Sequence, residues 1–236
     1  MNSQNLILSI LLLNLFSLLT IILRPKLFNV KLYTPMITNF KLSLLPFFVI
    51  LGNSFFCIIL FYFSSYISFL KVIATLLYPI GLVIWLLLLP NSGYLITELN
   101  LNHRDIEHDE VPIWYDIVSI LSFALSGIVN TLGNVVIIQL TYLVYIDPST
   151  ITNNTRLLLF LSALVLNILV SVGVYFGRYI RFNSWDVIKV SRFVSKLTTH
   201  FKEKNMGRNF VLFILFHTAF FMIVYVMLGI PFYWIA

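Results

Sequence analysis

The run VPIWYDIVSILSFALSGIVNTLGNVVIIQLTYLVY, residues 111–145, decides the fold. It is apolar throughout except for one repeating set of small and polar residues, and it holds a single charge, Asp116. At 100° per residue, Asp116, Ser119, Ser122, Ser126, Gly127, Asn130, Gly133 and Asn134 fall within an arc of about 140° on a helix. The rest of that helix is greasy. A span of about 20 apolar residues crosses a bilayer, and this one is longer, so it must tilt, kink or project. Two readings of the stripe stay open. Small residues let helices approach and Ser or Asn bond across them; alternatively, the stripe lines a polar groove that opens at Asp116.

The flanking sequence has the same character. Of 236 residues 60% are hydrophobic and 10% charged, with a mean hydropathy of +0.97. Soluble domains carry about 25% charged residues, so a water-soluble fold is excluded. The single cysteine, Cys57, excludes an intramolecular disulfide framework or a cysteine metal site. The expected class is all-α: a single polytopic membrane domain over 1–236, with spans at about 4–23, 43–65, 69–89, 113–145, 157–177 and 209–233. The N-terminus has no basic region before its apolar run and no small-residue cleavage site, so it reads as an uncleaved first span.

Lys and Arg placement predicts orientation. Arg24, Lys26, Lys31 and Lys41 follow span 1, and Arg104 follows span 3. Arg178, Arg181, Lys189, Arg192, Lys196, Lys202, Lys204 and Arg208 follow span 5. The other side has only Lys71 and Arg156. Loops 1, 3 and 5 are therefore expected in the cytoplasm, with both termini outside. Trp114, Tyr115 and Trp185 would mark the inner interface, and Tyr233 and Trp234 the outer one.

Polar chemistry collects in two further places. Pro90 is expected to end span 3, with Asn-Ser-Gly turning the chain and Tyr94 to Leu101 lying along the inner membrane face. The acids Asp105, Glu107, Asp109 and Glu110 follow. In span 5, Gly173-x-x-x-Gly177 is a close-packing motif, and Asn167, Ser171, Arg178 and Arg181 share its face. Arg178 and Arg181, three apart, are expected to stack and to clamp a phosphate or carboxylate. Asn183 and Asp186 suggest a capped restart into an amphipathic helix with the seam Val187, Val190, Val194, Leu197 and Phe201, suited to an anionic inner leaflet. His217 lies mid-span in span 6, where an ionisable group reads as functional by default.

Three blocks, LPNSGYLITEL, VPIWYDIVSILSFALSG and GRYIRFNSWDV, together resemble the bacterial membrane family catalogued as domain of unknown function 1361. The resemblance covers residues of about 85–190. Glu98 stands where that family more often has an aspartate, which keeps the carboxylate. The resemblance implies multi-pass topology and supplies no reaction.

With these blocks on one side, a single cytoplasmic-face site is expected. Arg178 and Arg181 would hold an anion, with Glu98, Asp116 and Asp186 orienting them or moving protons. Tyr94, Trp114 and Trp185 would wall the site, and Asn183 would complete it. Asn130, Asn134, Asn167 and His217 would line an intramembrane path. Binding or translocation of an anionic lipid or small anion leads. A membrane enzyme acting on a lipid-linked or phosphorylated substrate, and an assembly partner of another membrane protein, remain as alternatives. No cofactor, metal or nucleic acid is expected. The bilayer and its anionic lipid are the expected partners, and any protein partner is unidentified.

Overall fold

The computed structural model describes residues 3–99, 111–145, 152–182 and 190–229. All regular structure among them is helical. In chain order these are α1 (Ser3–Phe28), α2 (Thr34–Phe63), α3 (Phe69–Leu88), α4 (Pro90–Gly93), a 3-10 turn (Tyr94–Leu99), α5 (Ile113–Tyr145), α6 (Asn153–Tyr175), a π-helical turn (Phe176–Ile180), α7 (Val190–Lys202) and α8 (Met206–Met227). Six stretches are long and apolar enough to cross a membrane: Ile7–Phe28, Thr34–Phe63, Phe69–Leu99, Ile113–Leu143, Asn153–Ile180 and Met206–Met227.

Large apolar side chains stand on the outside, among them Leu11, Phe48, Leu76, Leu161 and Phe216. In water such a surface would aggregate, whereas lipid solvates it. The chain is a multi-pass membrane protein. Its axis is α5, whose span is 67% buried against 17–33% for the other five. Ile128, Leu132 and Val135 of α5 meet Ile50 of α2, Trp85 of α3, Val170 of α6 and Phe221 of α8 in one core.

Span boundaries differ from the sequence reading where polar residues sit inside helices. Span 1 runs through Arg24 and Pro25 to Phe28. Span 2 starts at Thr34 with Pro35 in its first turn, so Lys41 lies in a helix and not in loop 1. Span 6 is shifted toward the N-terminus, ending at Met227. Tyr233 and Trp234 lie outside the described residues, as do residues 100–110 with their acids and the Asn183–Asp186 restart.

The main correction concerns Pro90. It ends α3, but the chain does not leave for the membrane face. Pro90 opens α4, where its missing N–H costs nothing, and the path continues through the 3-10 turn inside the bundle. Ser92, Gly93 and Leu95 are buried. Small residues on the neighbours make this possible. A Cβ at Gly173 would overlap the Pro90 ring, and one at Gly127 would lie 2.6 Å from the Leu95 Cβ and 2.9 Å from the Ser92 carbonyl oxygen. A Cβ at Gly177 would lie 3.5 Å from the Tyr94 ring, an ordinary contact. The Gly173-x-x-x-Gly177 face thus receives the broken end of span 3.

The two glycines make opposite predictions. Gly173→Ala sets a Cβ against a rigid ring and should cost about 1–3 kcal/mol, the usual range for overpacking. Gly177→Ala meets ordinary contact and should stay within about 0.5 kcal/mol of the parent. Unfolding titrations in mixed micelles check both.

Candidate functional site

The polar stripe of α5 is tied residue by residue to its neighbours. Asp116, 1% exposed, accepts from Arg24 Nε at 2.9 Å, with Arg24 Nη2 at 3.5 Å from its other oxygen. The Tyr115 hydroxyl donates to the Thr20 carbonyl at 2.8 Å, and Ser119 Oγ to Thr20 Oγ1 at 3.1 Å. Asn130 and Asn14 exchange amide hydrogen bonds at 2.9 Å in both directions. The same Asn130 amide donates to Ser43 Oγ of α2 at 3.0 Å. Trp85 Nε1 of α3 donates to Asn134 Oδ1 at 3.0 Å. Lower on α5, Gln139 donates to the Leu159 carbonyl of α6 and accepts from the Tyr225 hydroxyl of α8 at 2.9 Å. Ser122 and Ser126 turn back onto their own helix, donating to Ser119 and Phe123 carbonyls. Packing therefore accounts for the amides of Asn130 and Asn134.

The end of span 3 joins this network. Ser92 Oγ donates to the Ser43 carbonyl at 2.6 Å. That carbonyl lies in the turn before Pro46, a proline inside α2. Glu98 accepts from Asn39 Nδ2 at 3.2 Å. Both described carboxylates of the expected site are thus engaged, Asp116 by a cation and Glu98 by an amide.

The arginines are placed differently from the sequence expectation. The last turn of span 5 widens into a π-helical turn, and Arg181 caps it in the left-handed region at φ 58°. An α-helical i, i+3 stack of Arg178 on Arg181 is therefore not formed, because Arg181 has left the helix. Arg178 is half-buried beside Gly177, where Tyr94 packs, and Arg181 is exposed. The one ion pair among the described residues is Arg24–Asp116. Block one and block three do meet here, through Tyr94 and Gly177. Trp114 is 63% exposed with its ring edge-on to Tyr115, on the outside of α5. Asn183, Trp185 and Asp186 lie outside the described residues.

Deeper in the bundle, Asn167 is buried between α6 and α8. Its amide donates to Met222 Sδ at 3.4 Å, and its Oδ1 has no partner. Ser171 and Thr218 pair at 3.2 Å. His217 stacks on Phe213 with centroids 3.7 Å apart. Among the described residues no group of three or more His, Cys, Asp or Glu could hold a metal.

α7 packs on the base of span 5 through rings. Phe193 stacks on Phe182 at 4.6 Å, the Lys196 ammonium sits 5.0 Å from the Phe182 centroid, and His200 Nε2 lies 2.9 Å from the Tyr175 hydroxyl. Val194 and Phe201 of the expected seam remain 49% and 37% exposed, Phe201 with its ring edge-on to Phe210 of α8.

The residues absent from the sequence reading are mainly the partners. Asn14, Ser17 and Thr20, with Arg24 that the sequence reading takes only as an orientation charge, recur at helical spacing on one face of span 1, a signal as periodic as the α5 stripe. Gln139 stands on the opposite side of α5 from the stripe, facing α6 and α8, and as a lone polar residue there it has no periodic signal. Asn39, Ser43 and His200 carried no comparable pattern.

The Asn14–Asn130 pair can be weighed by a double-mutant cycle with alanine. Its coupling should be near 0.6 kcal/mol and below about 1.7 kcal/mol, the range of interhelical bonds in lipid. Unfolding of the four variants in mixed micelles measures it.

The family whose profile matches is described as protein of unknown function (DUF1361), over residues 39–224. The chain belongs to that family. The match includes all three polar blocks and omits α1. Comparison with curated proteins gives no match, and comparison with solved structures gives none either.

Proposed function

We propose that this family member binds an anionic group at the base of span 5, on the cytoplasmic face, as part of holding or moving an anionic lipid or small anion. One observation carries the reading. Arg178 is half-buried beside Tyr94 and Gly177 with no counter-ion among the described residues, while Asp116 and Glu98 are already taken by Arg24 and Asn39. Among the described residues, no carboxylate lies within ion-pairing distance of either guanidinium, Arg178 or Arg181. A half-buried cation without a partner favours an incoming phosphate or carboxylate.

The surroundings support a lipid source. α7 exposes Val194 and Phe201 together with Arg192 and Lys202, the composition of a helix that lies on an anionic leaflet. The strong Lys and Arg excess in loops 1, 3 and 5 supports a cytoplasmic position for this face. Asn167, with an unpartnered buried oxygen, and His217 extend polar groups toward mid-membrane along α6 and α8.

Two measurements test the reading. Reporter fusions in loops 3 and 5 should both report inside, and an outside report from either removes the shared cytoplasmic face. Native mass spectrometry of the purified protein should show anionic phospholipid on the parent and a several-fold loss in Arg178→Ala/Arg181→Ala. Inorganic phosphate added as competitor separates the sources: displacement points to a free anion site, and retention to a lipid headgroup. Equal lipid and phosphate occupancy in parent and variant would refute an arginine site.

A further inference from the structure

We propose that α1 is a lateral gate, a helix latched onto α5 by Arg24–Asp116 and able to swing from the bundle about Asn29. It packs chiefly on α5, with a smaller contact on α2. Its side chains described as buried are Asn14, Ser17, Thr20 and Ile21, three of them polar. Leu18 packs with Ile21 against Phe40, Leu95 and Phe123, and the outward apolar face carries Ile7, Leu11, Leu12, Leu15 and Leu19. In a bilayer, apolar contact gives little net drive for association, so the polar contacts fasten the helix. They run from Asn14–Asn130 deep in the membrane, through Thr20 with Tyr115 and Ser119, to the ion pair at the rim.

Three further features fit a moving helix. Asn29, which follows α1, holds a left-handed φ of 55°, a conformation that asparagine tolerates at a hinge. Ser17 Oγ is fully buried in this seam and has no partner, so the seam is not completely satisfied when closed. The family match begins at residue 39, so α1 is outside the shared bundle although it covers that bundle's central polar stripe. Opening separates Arg24 from Asp116 and uncovers Asp116, Ser119 and Asn130 to the side. The gate stands on these contacts and does not depend on Arg178 binding an anion.

Thiol accessibility in the full-length chain tests it, in lipid nanodiscs and on a Cys57→Ser background that removes the only native cysteine. Ser119→Cys places a thiol under the gate near the latch. Ser92→Cys places a buried thiol under the α4 block, where Ser92 itself bonds Ser43 of α2 and no residue of α1. With the latch intact, N-ethylmaleimide should react slowly at both. Asp116→Asn should speed reaction at position 119 several-fold and leave position 92 unchanged. Arg24→Gln, at the more exposed end of the pair, gives the same comparison should Asp116→Asn fail to assemble. An unchanged rate at 119 overturns the gate. An equal rise at 92 overturns it too, because that is general loosening of the bundle.

Discussion

Hydrocarbon solvates a leucine as well as a protein core does, so helices that meet inside a bilayer need another reason to stay together. Here that reason is the polar stripe of α5. Its amides, hydroxyls and one carboxylate have no water to turn to, and leaving them unpaired in lipid is expensive. Those that bond across helices find Asn14 and Arg24 on α1, Ser43 on α2 and Trp85 on α3, while Gln139 on the opposite side of α5 reaches Leu159 on α6 and Tyr225 on α8. A single bond of this kind is worth only about 0.6 kcal/mol. Their effect is specific more than strong, because each fixes a rotation and depth for the helix that supplies it. The ion pair differs in kind: removing one member of a buried pair costs about 3–5 kcal/mol, since the other charge is left alone.

The broken end of span 3 follows from the same constraint. Backbone that leaves helical geometry at membrane depth survives only inside protein. α4 and the 3-10 turn meet that condition because Gly173 and Gly127 leave room for Pro90 and Leu95, and because Ser92 bonds the Ser43 carbonyl. This packing also builds the candidate site. Once Pro90 is seated on Gly173, the chain delivers Tyr94 to Gly177, one residue from Arg178. The position of the arginine is therefore a consequence of how a proline-broken span is buried.

Hydropathy alone makes six spans legible, because continuous apolar runs have few alternatives. The α5 stripe is legible too, since 3.6-residue periodicity exposes any repeated face. What periodicity omits is pairing. Asn14, Ser17, Thr20 and Arg24 share a face of α1, but their destination on α5 is a tertiary fact, and Arg24 seen alone looks like an orientation charge. Pro90 illustrates a local ambiguity. A proline stops one helix and starts another equally well, and the choice between leaving and re-entering the bundle depends on a glycine 83 positions later, at Gly173. The π-helical turn that separates Arg178 from Arg181 likewise has no signature in spacing, where i, i+3 implies a stack.

Charge pairing divides the molecule along the family boundary. Ser43, Trp85, Ser92, Asn130, Asn134 and Gln139 all lie within residues 39–224, so much of the network that seats α2, α3 and α4 around α5 is internal to the shared region. Asp116 lies within it as well, but the cation that neutralises it comes from α1, outside it. A carboxylate that is 1% exposed needs a counter-charge. The shared bundle thus supplies the position of Arg178 by itself, and depends on a helix beyond its own limits to settle the charge of Asp116. That asymmetry leaves the charge of Asp116 to the α1–α5 seam, whereas the span 3–span 5 junction is packed by residues of the shared region alone.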